Sequence, residues 1–212
     1  MTVRHDRDLV GSDLHRPRAQ TGPVPLLRHP VVGGSTGALQ YVLWVRTCGF
    51  AVTHALPRLT RYPVSRTVLR HDTDEYGFDT PHTTSIGHGP YTGHCGGSVV
   101  HDRAVIGDNC NLSQQVTLGQ ADRAPPGGHP VIGDDGCLGP GARLVGAVRI
   151  GDDVAIGADS VVLDDVPDRP VVVGVPARVV RLNGAAGYVE DTGYPRAAPP
   201  VASAHGSPSR SA

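Results

Sequence analysis

The sequence predicts a mainly β fold, a parallel β-helix built from hexapeptide repeats, with a short N-terminal helical segment and one extruded loop. Three observations predict it. From Ile132 to Leu163 an aliphatic residue returns at every sixth position, at Ile132, Leu138, Leu144, Ile150, Ile156 and Val162. Glycine directly follows four of them, as Gly133, Gly139, Gly151 and Gly157. Four residues after each aliphatic stands a mostly small residue, in Gly136, Ala142, Val148, Val154 and Ser160. A period of six matches neither the helical repeat of about 3.6 nor two-residue strand alternation. It matches short strands joined by tight turns into a solenoid.

Three hexapeptides complete one coil, so residues 18 apart, such as Ile132 and Ile150, stack at about the 4.8 Å spacing of neighbouring strands. Stacked aliphatics fill a narrow interior, and the small residues fit a second, tighter inward slot. The Asp-rich and Gly-rich positions between them suit turns.

Along the chain, residues 1–30 are rich in Arg, Asp, His and Pro and poor in apolar residues. Such a segment buries too little to offset its ordering entropy and is expected to be disordered. Residues 31–75 carry apolar residues at spacings of three and four, among them Leu39, Val42, Leu43, Leu56, Leu59 and Val68, which predicts two amphipathic helices broken near Pro57 and Pro63. Tyr41 and Trp44 read there as packing residues. The solenoid is expected over 76–182. Ile86 opens an early run, whereas Ile106, Leu112 and Leu118 are offset from it by two, which places an irregularity between Tyr91 and Val100. From Leu118 to Ile132 the spacing is 14 where 12 would keep the period, so the polar segment QADRAPPGGHP is an extruded loop, expected to order around ligands. Pro167, Pro170 and Pro176 end the period, and the segment containing them is the expected cap. Residues 183–212 read as a flexible tail.

Composition excludes several classes. Gly 28 and Pro 19 would suggest disorder, but the glycines concentrate in the periodic region. A formal net charge of -1 without a basic cluster on the solenoid gives no footprint for nucleic acid. Cys48, Cys95, Cys110 and Cys137 form no CxxC pair, and no apolar run is long enough for a signal peptide or a membrane span. A cytoplasmic protein with free thiols is expected.

The segment TSIGHGPYTGHCGGSVVHDRAVIGDNCNLSQQVTLGQ, the later GGHPVIG and the terminal GVPARVV together resemble the bacterial serine O-acetyltransferases of the hexapeptide acyltransferase superfamily. The likeness runs from about Tyr76 to Val180. It implies a left-handed hand for the β-helix, a homotrimer or a multiple of three, a place in cysteine biosynthesis, and acetyl-CoA as cosubstrate in the groove between adjacent solenoids. It implies His94 as catalytic base, Asp79 as the carboxylate that orients it, and His129 as a second active-site histidine. Gly157, Ala158, Gly174 and Arg178 fall where the family contacts coenzyme A. In the serine enzymes an Asp precedes the base and an Arg precedes the loop histidine; here those residues are Gly93 and Gly128. The chain ends in SRSA rather than the isoleucine that docks into a partner sulfhydrylase, so that complex is not expected.

The residue types suit the chemistry. An alcohol is a poor nucleophile until its proton is removed, and an imidazole, which titrates at about pH 6.5 when unperturbed, does this with a carboxylate holding its other nitrogen. His82, His88 and His94 recur every six residues, but residues six apart lie on different faces of a coil and cannot converge on a zinc ion, so no metal is expected. Cys95, next to the proposed base, would be a nucleophile only in an acyl-enzyme route; Cys110 falls in the small inward slot. The expected function is acetyl transfer from acetyl-CoA to a hydroxyl of a small acceptor, L-serine or a related hydroxy amino acid. A sugar or polysaccharide-precursor hydroxyl is the alternative acceptor, and a catalytically silent trimeric scaffold the alternative without chemistry.

Overall fold

Aliphatic rungs place each strand beside the one a full coil away, and in a computed structural model of the chain they do so on three parallel sheets. The structure describes residues 8–16, 35–121 and 128–194. Among the described residues three helices come first: α1 (residues 8–16), α2 (Ser35–Thr53) and α3 (Ala55–Tyr76). The strands follow as β1 (Phe78–Asp79), β2 (Ser85–Ile86), β3 (Ser98–Val100), β4 (Val105–Ile106), β5 (Asn111–Leu112), β6 (Thr117–Gly119), β7 (Val131–Ile132), β8 (Cys137–Leu138), β9 (Arg143–Val145), β10 (Arg149–Ile150), β11 (Ala155–Ile156), β12 (Val161–Val162), β13 (Val171–Gly174) and β14 (Ala177–Arg181).

Sheet order is β1-β3-β6-β9-β12 on one face, β10-β7-β4-β2 on the second and β14-β13-β11-β8-β5 on the third. Ile150 pairs with Ile132, Ile156 with Leu138 and Val162 with Leu144, the 18-residue register read from the repeat. The rung residues are buried, and so are Gly136, Ala142, Val148, Val154 and Ser160 in the second slot. The aliphatic rungs form one continuous core with Ala142, Val148 and Val154.

The turns show why Asp and Gly recur. The Oδ1 atoms of Asp108, Asp134, Asp152 and Asp168 accept from the backbone N–H of His88, Asp108, Asp134 and Asp152, at 2.7, 2.7, 2.8 and 3.0 Å. This ladder climbs one corner of the solenoid, each carboxylate lying over the glycine of the coil below. A Cβ on Gly133 or Gly151 would come within 2.2 Å of that oxygen, so close approach, rather than flexibility, demands glycine after the aliphatic.

Two departures from the period place the site. Tyr91 bridges to Asn111, 20 residues on, whereas Val99 pairs with Thr117, 18 residues on. Two extra residues therefore lie between Tyr91 and Val99, in the turn that carries His94. The second departure corrects the expected spacing: Leu118 pairs with Leu144, 26 residues on, so Leu118 and Ile132 are consecutive rungs and the excursion between them is eight residues. Sequence spacing could not separate a missing rung with a small insertion from none with a large one. The loop closes at an antiparallel bridge between Ala121 and Gly128; its tip, 122–127, lies outside the described residues.

The helices pack over the first coil, where Tyr41 stacks on Phe78 at 4.8 Å and Trp44 packs against the same cluster. The helix break falls at His54 and not at either proline. Pro57 sits in the first turn of α3, where its missing N–H bonds nothing, and Pro63 lies inside α3 on an exposed stretch where water reaches the freed carbonyl. α3 stops at Gly77, whose φ of 68° lets its N–H return to Thr73 O at 3.0 Å.

Residues 8–16, expected within a disordered segment, instead form α1. Burial of Leu9, Ser12, Asp13 and Arg16 against the first coils supplies what local composition lacks. Part of the expected flexible tail is likewise fixed: Ala185 N–H donates to Asp153 Oδ1 at 2.8 Å and Tyr194 is buried. The rest of both segments, 1–7, 17–30 and 195–212, lies outside the described residues. The expected cap is a hairpin, β13 continuing the parallel sheet and β14 returning antiparallel along its edge. Among the described residues no helix is long and apolar enough to cross a membrane.

Candidate active site

His94 stands on the turn that the two extra residues create. That turn is fixed at its end by Gly96 (φ 123°) and Gly97 (φ 66°), and Gln115 N–H donates to Gly96 O at 2.8 Å. Cys95 packs inward against the helical cluster while His94 is exposed. Burial pushes the Cys95 thiol up, away from the thiolate that a nucleophile needs. Asp79, also exposed, lies on β1 in register with Val99 of β3, the strand that follows the His94 turn. Among the described residues no hydrogen bond or ion pair joins their side chains.

His129 follows the bridge that closes the loop, and its ring stacks on that of His101, with centroids 6.3 Å apart and planes 8° from parallel. His101 was not singled out by sequence. The register shows its signal: Val100 pairs with Leu118, so the residue after β3 falls beside the start of the loop. His82 and His88 go elsewhere, His82 tilting against Tyr62 at 5.7 Å and His88 Nδ1 lying 3.2 Å from Asp108 Oδ1. A cleft of about 1020 Å³ between α1, α2 and the first coils is lined by Leu9, Phe50, His82 and His88, but not by Asp79, His94 or His129. Asp79 and His94 are exposed and His129 is half-buried.

At the other end, the four candidate coenzyme A residues meet. Gly157 follows β11 and Gly174 ends β13, its parallel neighbour, while Val173 pairs with Arg178 across the hairpin. A Cβ on Gly157 would lie 2.6 Å from Val173 Cγ1. Gly174 N–H donates to Ser160 Oγ at 3.0 Å. Ala158 and Arg178 are exposed, with Arg178 only 3.5 Å from Asp164. Two surface regions result, one bearing imidazoles and a carboxylate, the other small residues and a guanidinium.

Cys110 fills the small inward slot of its coil, its thiol donating to Gly133 O at 3.2 Å. Burial pushes the thiol up to about 12 from an ordinary 9.0. A raised thiol favours the fold fully below about pH 9, and that contribution is lost as the pH climbs towards about 12, because the unfolded chain ionises first. In that window the folding equilibrium should weaken by up to roughly tenfold per pH unit, and Cys110→Ala should flatten the dependence. Denaturant midpoints between pH 8 and 11 measure both.

No family model matches the chain. A serine acetyltransferase of Bacillus pumilus is 36% identical over 133 residues, covering 63% of this chain and 61% of the relative. The chain thus spans about three-fifths of the length of the curated Bacillus relatives it matches. A soybean serine acetyltransferase solved with serine superposes at TM-score 0.65 with 31% identity, over 83% of this chain and 70% of that one. One from Brucella abortus strain S19, solved with coenzyme A, superposes at 0.67 with 25% identity, over 83% and 68%. The three-faced solenoid and its histidine-bearing turn define a hexapeptide-repeat protein of acyltransferase architecture. Within that class, the chain belongs to the serine O-acetyltransferase family.

Proposed function

We propose that the chain transfers the acetyl group of acetyl-CoA to the hydroxyl of L-serine or a related hydroxy amino acid. The observation that carries this is His94, exposed on a turn fixed at Gly96 that leads into β3, the strand paired with the strand of Asp79. Relatives solved with serine and with coenzyme A support the two substrates.

In this reading the His94 imidazole takes the hydroxyl proton as the oxygen attacks the thioester carbonyl. The C–S bond then breaks and the departing thiolate recovers the proton from the imidazolium, so no acyl-enzyme is needed. Asp79 would hold the ring's other nitrogen, and His129 would complete the acceptor side. Gly157, Ala158, Gly174 and Arg178 would hold the cosubstrate, the small residues letting it approach and Arg178 meeting a phosphate. A left-handed coil, a cytoplasmic setting and a trimer with the cosubstrate between adjacent solenoids complete the proposal. Exposure of Val175 (72%), Val179 (51%) and Val180 (53%) beside the coenzyme A residues supports a covering neighbour. Light scattering should give a multiple of three chains; an active monomer would overturn the shared groove.

The test of the activity is release of free thiol from acetyl-CoA in the presence of L-serine, with mass detection of the O-acetyl product. Thiol release independent of any hydroxyl acceptor would sink the proposal.

Two positions tune the acceptor. A Cβ on Gly93 would meet only ordinary contacts, 3.4 Å from the Tyr91 hydroxyl, whereas one on Gly128 would lie 2.4 Å from Ala147 Cβ. Gly93→Asp should therefore restore a charged contact and lower the serine KM by roughly tenfold to a hundredfold, from about 1.5–3 kcal/mol. Gly128→Arg should bring no such gain, because it displaces the base of the loop. Steady-state kinetics decide this: an unchanged KM in Gly93→Asp places recognition of the amino group elsewhere.

A further inference from the structure

We propose that His101 is a further acceptor-binding residue, presenting its Nε2 to the carboxylate of the hydroxy amino acid. The inference rests on the acceptor reading above and adds a residue to it.

Three observations carry it. The His101 ring lies parallel to that of His129 at the mouth of the loop, so whatever His129 meets is within reach of His101. The neighbouring position cannot supply a cation, because any side chain on Gly128 would overlap Ala147. The His101 ring is also oriented by its own turn. Its Nδ1 accepts from Arg103 N–H at 3.2 Å on one side and lies 3.1 Å from Asp102 Oδ1 on the other. With Nδ1 accepting from Arg103, the ring proton sits on Nε2. Nδ1 is thus engaged within the chain, and the Nε2–H is the donor left for a ligand. A ligand carboxylate accepts it in a charge-assisted hydrogen bond. The side chain is 27% exposed, open enough to be reached yet held by the stack.

The test compares His101→Phe, which keeps a flat ring and loses the Nε2 donor, with His101→Arg, which restores N–H donors. L-Serine and 2-aminoethanol, the same alcohol without the carboxylate, serve as acceptors. His101→Phe should raise the serine KM by about tenfold or more, with kcat and the acetyl-CoA KM within about twofold. The 2-aminoethanol KM should stay within the same factor, and His101→Arg should recover most of the loss for serine. A normal serine KM in His101→Phe, or equal losses for both acceptors, overturns the assignment while leaving the acetyltransferase reading intact. A wild-type protein that acetylates neither acceptor overturns that reading and this inference with it.

Discussion

His94→Ala is expected to lower kcat by about a hundredfold to ten-thousandfold while leaving the melting temperature nearly unchanged. The imidazole is the group proposed to remove the acceptor proton, and neither residue flanking it can replace it: Gly93 has no side chain and the Cys95 thiol is pushed up by burial. The fold should tolerate the loss, because His94 is exposed and the turn is held by backbone, Gln115 N–H to Gly96 O. Surface substitutions of that kind change stability by about 0.5 kcal/mol or less. Asp79→Asn should be milder, since it removes the orienting charge and leaves the base. Kinetics for both variants across pH, alongside melting curves and coenzyme A affinity, give the answer. Near-normal kcat in a folded His94→Ala protein would remove the residue from the mechanism and make His129 the next candidate.

Arg16→Ala should cost about 3–5 kcal/mol, lowering the melting temperature by roughly 6–20 °C. The Arg16 side chain is fully buried and ties three parts of the chain together. It donates to Gly89 O at 2.8 Å, Asn109 O at 3.0 Å, Asn111 Oδ1 at 2.7 Å and Glu190 O at 2.9 Å, and its guanidinium lies over the Tyr91 ring at 5.6 Å. Truncation leaves the carbonyls of Gly89 and Asn109 buried without this donor. Beside it, Asp13 accepts from Arg46 Nε at 2.9 Å, and Arg46 also donates to the carbonyls of Ile86 and Gly87. Burial pushes the Asp13 carboxyl up while Arg46 opposes the shift. These contacts brace residues 86–91, which lead into the His94 turn, so the variant should lose coenzyme A-independent stability first. Thermal melts of Arg16→Ala and of a chain lacking residues 1–16 measure this; unchanged melts would mean that α1 contributes nothing to the fold.

The repeat made the solenoid legible because its cause is local and periodic: a narrow interior admits an aliphatic and a small residue at fixed intervals, and the same spacing recurs as backbone register in Ile132 and Ile150. Motifs made Asp79, His94 and His129 legible as candidates by resemblance. The ladder from Asp168 to His88 was visible only as an excess of Asp, since the oxygen of each carboxylate serves the N–H of another coil. What only tertiary structure decided involves residues distant in sequence. α1 looked disordered because its stability comes from Arg16 and Asp13 meeting groups some 30 to 174 positions away. The length of the loop excursion depended on which strands are consecutive, and the pairing of His101 with His129 depended on both. Sequence alone determined the period, and with it the interior; the tertiary structure decided what gathers on the outside, because no local rule sets contacts between coils and ends.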